Sequence, residues 1–137
     1  MLARLFVVFS AFVLVIWGGP GVTAAEPDRV RVVWKDGHKS EMSEKELKQY
    51  TSFSVRPEYP MEAQRSKITG AGIYLLYIDK ITGGVARVEI ETSTGSKLLD
   101  GYATTAFKRW QFKPGTFVQV RMPCAFNILR PINPWVF

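Results

Sequence analysis

The sequence predicts an α+β fold: a three-stranded antiparallel sheet with two helices packed on one face. Three observations predict it. A hairpin pattern runs from Ile73 to Glu91, an apolar stripe at helical spacing runs from Leu99 to Trp110, and a long alternating segment follows from Phe117.

The chain of 137 residues is long enough for one domain and too short for two ordinary ones. Met1–Arg4 carries one positive charge, and Leu5–Trp17 is apolar apart from Ser10. Gly18-Gly19-Pro20-Gly21 breaks any helix, and Val22-Thr23-Ala24-Ala25 offers small residues for cleavage. Residues 1–25 therefore read as a secretory signal peptide or, alternatively, an uncleaved anchor. The run falls short of the roughly 20 apolar residues that span a bilayer, which favours cleavage. Either way the rest of the chain lies outside the cytoplasm.

Residues 26–53 read as a lead-in or linker. Val30–Trp34 suits a short strand, and Lys35-Asp36-Gly37-His38 a turn. Ser43 and Glu46 have capping-box spacing, which predicts a short helix over Glu44–Tyr50.

The domain proper spans 54–128. Pro57 and Pro60 hold the chain extended, and Pro60 suits the start of a helix over Met61–Ser66, ended by Gly70 and Gly72. Ile73–Ile78 is apolar on both faces, so a strand covered on both sides is expected. Thr82-Gly83-Gly84 supplies the positive φ of a tight turn. On the return strand Ala86, Val88 and Ile90 face the core while Arg87, Glu89 and Glu91 face water.

In the second helix Leu99, Tyr102, Ala103, Ala106, Phe107 and Trp110 make one stripe. Ser96 is its N-cap, Asp100 sits in its first turn, Lys108 and Arg109 sit in its last, and Pro114-Gly115 stops it. In the last strand Val118, Val120, Met122, Cys124, Phe126 and Ile128 share the core face. Phe117, Gln119, Arg121, Pro123, Ala125 and Asn127 share the other. Pro123 has no N–H, which places this long terminal strand at a sheet edge or a bulge. Residues 129–137 form an irregular tail.

Charge and chemistry narrow the function. Residues 26–100 balance twelve basic against twelve acidic side chains, and after Asp100 there are Lys108, Arg109, Lys113, Arg121 and Arg130 with no acid. That basic quarter suits an acidic partner or a membrane surface. Nucleic acid is excluded for an exported chain without a recognised motif. Cys124, the only cysteine, reads as a buried thiol, and His38 as a turn residue. No metal-ligand spacing, nucleophile motif or phosphate loop is present, so neither catalysis nor a cofactor is expected.

From Arg56 onward the motifs fall in a familiar order. Pro57-Glu58-Tyr59-Pro60 opens, with Ala63 and Arg65 on the helix after it. Gly72 and its strand precede Gly83-Gly84-Val85, Ser93-Thr94-Gly95 and Leu98-Leu99-Asp100. Lys108-Arg109-Trp110-Gln111-Phe112-Lys113-Pro114-Gly115 closes the series. This resembles the C-terminal domain of TonB energy transducers, over about 54–128. The resemblance implies a periplasmic module in transmembrane transport that binds the TonB box of outer-membrane TonB-dependent transporters as an added strand. The partner-binding residues expected on this basis are Arg56, Pro57, Tyr59 and Pro60 as the flank, with Phe117, Gln119, Arg121, Ala125 and Asn127 on the edge strand. An assembly module that forms a homodimer through the same strand is the alternative.

Two departures stand out. Arg56 occupies the place of a Gln that precedes the Pro-x-Tyr-Pro element in the best-known transducers. Their anchor carries a His four residues after a Ser, where this chain has Ser10 and Leu14, which argues against an inner-membrane proton-channel partner. Residues 26–55 hold only Pro27 and reach no further than about 100 Å, unlike a long Pro-rich spacer.

Overall fold

The computed structural model describes residues 29–128; the leader or anchor expected at 1–25 and the tail expected at 129–137 lie outside the described residues. From Arg29 the chain forms strand β1 (Arg29–Trp34), turns with Gly37 at φ +89°, and returns as β2 (Lys39–Ser43). Ser43 then caps helix α1 (Glu44–Tyr50). Its hydroxyl accepts from the Glu46 N–H and the Glu46 carboxylate accepts from the Ser43 N–H, the reciprocal box its spacing predicts. Strand β3 (Thr51–Phe53) follows.

Beyond the extended stretch 54–60 come helix α2 (Met61–Arg65), strands β4 (Gly70–Ile78) and β5 (Val85–Thr92), and helix α3 (Lys97–Phe107). A two-residue strand β6 (Gln111–Phe112) leads to β7 (Phe117–Phe126). The helix, strand, strand, helix, strand order expected of 54–128 is present, with β6 added and Gly70 and Gly72 inside β4. None of the described helices is long and apolar enough to cross a membrane.

The sheet is larger than expected. Five antiparallel strands run in the order β2-β1-β7-β4-β5, and β3 and β6 form a second, two-stranded sheet. Residues 29–53 are thus not a linker: Val30, Val32, Met42 and Leu47 join the core. The last strand, expected at an edge, lies between two neighbours. Gly70–Tyr77 of β4 pairs along Gln119–Phe126, and β1 pairs along Phe117–Arg121. Adding the lead-in hairpin closes most of an otherwise unpaired edge and removes Val30 and Val32 from water.

Two expectations about faces also change. Phe117 is 0% exposed, not on the outer face, and Val118 is only half-buried. Val33 pairs with Gln119 and Trp34 with Phe117, so Val118 is an extra residue, and this bulge turns Phe117 inward. Ile128, expected in the core, is exposed. Buried Cys124 agrees with its sequence reading.

Strand β4 is apolar on both faces for a different reason from the one expected. Tyr74, Leu76 and Ile78 are buried in the core, whereas Ile73, Leu75 and Tyr77 on the outer face are half-buried under long charged side chains. Arg121 Nε meets Glu91 Oε2 at 2.6 Å across β4, and the Arg87 guanidinium lies 4.2 Å from the Tyr77 ring centroid. Aliphatic stems shield the apolar surface while the charged heads pair in water. β5 is an edge strand, so Ala86 and Ile90 are exposed although α3 packs beside them.

Helix α3 starts as expected, with the Ser96 hydroxyl accepting from Leu99 N–H, but ends at Phe107, so Arg109 and Trp110 fall beyond it. Asp100 is more than a favourable first-turn charge. It is buried, and its carboxylate accepts from Tyr74 Oη at 2.8 Å, Thr94 N–H at 2.9 Å, Thr94 Oγ1 at 2.8 Å and the Ser93 hydroxyl. Burial pushes its pKa up, but the donors from Ser93, Thr94 and Tyr74 outweigh it and hold the carboxyl below its ordinary range.

Candidate functional site

Strand β7 is paired on both sides only over its first half. Main-chain bonds around it show which residues face the other half's open side. Trp34 N–H donates to His38 C=O inside the β1–β2 hairpin, while Lys35 N–H donates to Thr116 C=O just before β7. Even-numbered residues of β1 therefore turn their polar groups toward β2, and odd-numbered ones toward β7.

Arg31 and Val33 stand opposite Arg121 and Gln119, so those two residues bond toward β1. Pro123 and Ala125, of the same parity, point the same way. The other flank agrees: Asp79 N–H donates to Gly84 C=O on the β5 side, so the even residues of β4 face β7.

The β1–β7 ladder ends at Arg31 and Arg121. In that register Arg29, the first described residue, is level with Pro123, and no described residue is level with Ala125 on that side. Pro123 therefore places its missing N–H where it costs no bond to β4, as a strand proline must. Its carbonyl points toward Arg29, and both main-chain groups of the exposed Ala125 point to the same side, where no described residue pairs with them. The last strand, expected at an edge, is thus an inner strand whose β1 ladder stops before Pro123 among the described residues.

The segment Arg56–Pro60 runs from the Trp110 side chain toward the Phe126 end of β7. Trp110 Nε1–H donates to Val55 C=O at 2.8 Å, and Tyr59 Oη donates to Ile68 C=O at 2.7 Å. The Tyr59 ring meets Phe126 edge-on at 5.5 Å, and Gln64 Nε2 donates to Tyr59 C=O at 2.7 Å. The structure thus brings Tyr59, Ala125 and Asn127 to one end of the domain, while Arg56 follows Val55 at the Trp110 contact. Arg56, Ala125 and Asn127 are exposed and Tyr59 is half-buried.

The other expected binding residues do other work. Pro57 and Pro60 are buried, and Phe117 packs at 4.9 Å from Trp34 in the core at the far end. Gln119 and Arg121 spend their main chains on β1, and the Arg121 side chain is paired with Glu91.

Two further edges were not foreseen as such. β5 bulges at both ends of its pairing with β4 and carries Arg87, Glu89 and Glu91. β2 is five residues long and carries Lys39 and Glu41, the latter paired with Arg31 at 2.7 Å. Short length, bulges and charge are what blunt an edge against pairing. The outer sheet face holds a shallow depression of about 510 Å³ lined by Arg31, Lys39, Leu75, Glu91 and Arg121. Its sequence signal was the apolar outer side of β4.

These features define a small α+β module whose last strand, among the described residues, is paired on both sides over its first half only. The family profile described as Gram-negative bacterial TonB protein C-terminal matches residues 55–128, and the chain belongs to that family. It is similar to Protein TonB of Vibrio cholerae serotype O1 (strain ATCC 39315 / El Tor Inaba N16961), at 33% identity over 82 residues. The match covers 60% of this chain and 32% of that protein, so the chain spans about a third of that relative's length.

Proposed function

We propose that the chain is a TonB-like protein-binding module of the cell envelope, without catalysis, that takes an extended segment of an outer-membrane transporter as an added strand. The segment lies along the outer half of β7, bonds the Ala125 main chain, and contacts Tyr59, Arg56 and Asn127. The observation that carries this reading is the orientation of the exposed Ala125's main-chain groups toward the β1 side, where no described residue pairs with them. Family membership supports it independently. The alternative of a dimer through the whole last strand is disfavoured, because β1 occupies Phe117–Arg121.

Ala125→Pro tests it. Ala125 N–H faces away from β4, so the substitution removes a donor from the open side and leaves the β4–β7 ladder intact. The fold is expected to survive, while affinity for a synthetic TonB-box peptide falls about tenfold, the worth of one net hydrogen bond, or further if the ring obstructs the strand. Titration calorimetry measures it. Unchanged affinity in a folded variant would end the proposal.

A further inference from the structure

The end of the sheet opposite Ala125 is made of turns, and the fold gathers positive charge there. Lys35 N–H donates to Thr116 C=O at 2.9 Å, Gly115 N–H to Lys80 C=O at 2.9 Å, and Lys113 N–H to Tyr50 C=O at 2.8 Å. The turns carrying Lys35, Lys80 and Lys113 are therefore stitched together, although distant in sequence. Lys108 and Arg109 adjoin them, since Trp110 C=O accepts from Val85 N–H and Phe112 N–H donates to Gly83 C=O. All five cations are exposed, and no ion pair among the described residues holds any of them.

Two acids share this end, and both are engaged. Asp36 meets His38 Nδ1 at 2.7 Å, and Asp79 accepts from the N–H groups of Ile81 and Thr82 at 2.8 and 3.2 Å. The Asp79 bonds hold Ile81 at the tip of the β4–β5 turn, 80% exposed, the most exposed large hydrophobic among the described residues. The turn is firmly shaped. Gly83 has φ +78°, and a Cβ there would lie 2.0 Å from the Phe112 carbonyl oxygen. A single isoleucine offered outward by a rigid turn, ringed by unpaired cations, is not a flat hot-spot patch for a protein. It suits a soft anionic interface, in which the cations meet phosphates and the side chain enters the headgroup boundary.

We propose that this end docks on an anionic lipid bilayer, with Lys35, Lys80, Lys108, Arg109 and Lys113 on the headgroups and Ile81 inserted among them. β7 is ten residues long, so the open stretch at Ala125 lies about 30 Å away, at the end turned from the bilayer. The two surfaces are independent, and loss of lipid contact leaves peptide binding at Ala125 unaffected.

The test is hydrogen exchange on the full chain with phosphatidylglycerol vesicles and, separately, phosphatidylcholine vesicles. The apolar run Leu5–Trp17 can enter either bilayer, so the readout is local: the amides of residues 80–84 and of Lys113, Gly115 and Thr116. These are expected to slow several-fold with phosphatidylglycerol only. The effect should vanish at roughly 0.5 M salt, where charges are screened within a few ångströms. The double change Lys80→Glu, Lys113→Glu should abolish it, and Ile81→Ser should weaken it. Equal exchange with both vesicles would overturn the proposal, as would slowing that survives the charge reversals. Slowing of the same amides by soluble poly-glutamate and not by vesicles would assign the surface to an acidic polypeptide instead.

Discussion

Trp110→Ala is expected to remove most of the stability of the domain. The indole is 1% exposed and packs edge-on against Phe107 at 5.5 Å. Truncating a buried Trp costs about 3–5 kcal/mol, and the unmet Val55 carbonyl adds about 1 kcal/mol. A domain this size has only about 5–15 kcal/mol in hand. A fall in Tm of roughly 15–30 °C by circular dichroism is the expected readout. Trp110→Phe keeps most of the ring and loses the donor, so it should cost about 1–2 kcal/mol. It should also weaken peptide binding, because Val55 leads directly into the Arg56–Pro60 flank. A loss below about 1 kcal/mol in Trp110→Ala would mean that the aromatic packing is not what holds the flank in place.

Asp100→Ala is expected to cost about 3 kcal/mol, since it strands the buried Tyr74 hydroxyl along with the Ser93 and Thr94 donors. Adding Tyr74→Phe should recover about 1 kcal/mol, because removing both partners leaves no orphaned group between them. The carboxyl is held below its ordinary range in the fold, so its contribution to stability is fully present above the unfolded value, about 4. It is lost as pH falls through the depressed folded value. Urea denaturation across acid pH should therefore show wild type losing stability below about pH 4 more steeply than Asp100→Ala. Parallel curves would show that the Asp100 carboxyl binds protons equally well in the folded and unfolded chains, against the lowered value.

The helices and strands of 54–128 were legible because their cues are local: the Leu99–Phe107 stripe, the Gly83 turn, the Ser43 and Ser96 caps. What escaped is the choice of neighbour. The alternation of Val30 and Val32 announces a strand, but nothing within it names β7 as its partner, and the last strand was accordingly left at an edge. Phe117 was assigned to the wrong face because one extra residue, Val118, reverses parity without any composition cue. Asp100 looked like a first-turn charge because Tyr74, which makes it a buried hub, stands 26 residues away. Of the candidate site, Pro123 pointed to an edge strand or a bulge, whereas β7 is an inner strand whose missing Pro123 donor falls on the side away from β4. On that side the β1 ladder ends at Arg121 among the described residues, while the first half of the same strand is closed.

Amide exchange at Ala125 tests the central claim most directly. With a TonB-box peptide present, exchange of the Ala125 N–H is expected to slow by at least tenfold, with the β1 amides of Arg31 and Val33 unchanged because the hairpin stays in place. Contradiction would be an Ala125 amide indifferent to bound peptide, with protection appearing along Val85–Thr92 of β5 instead.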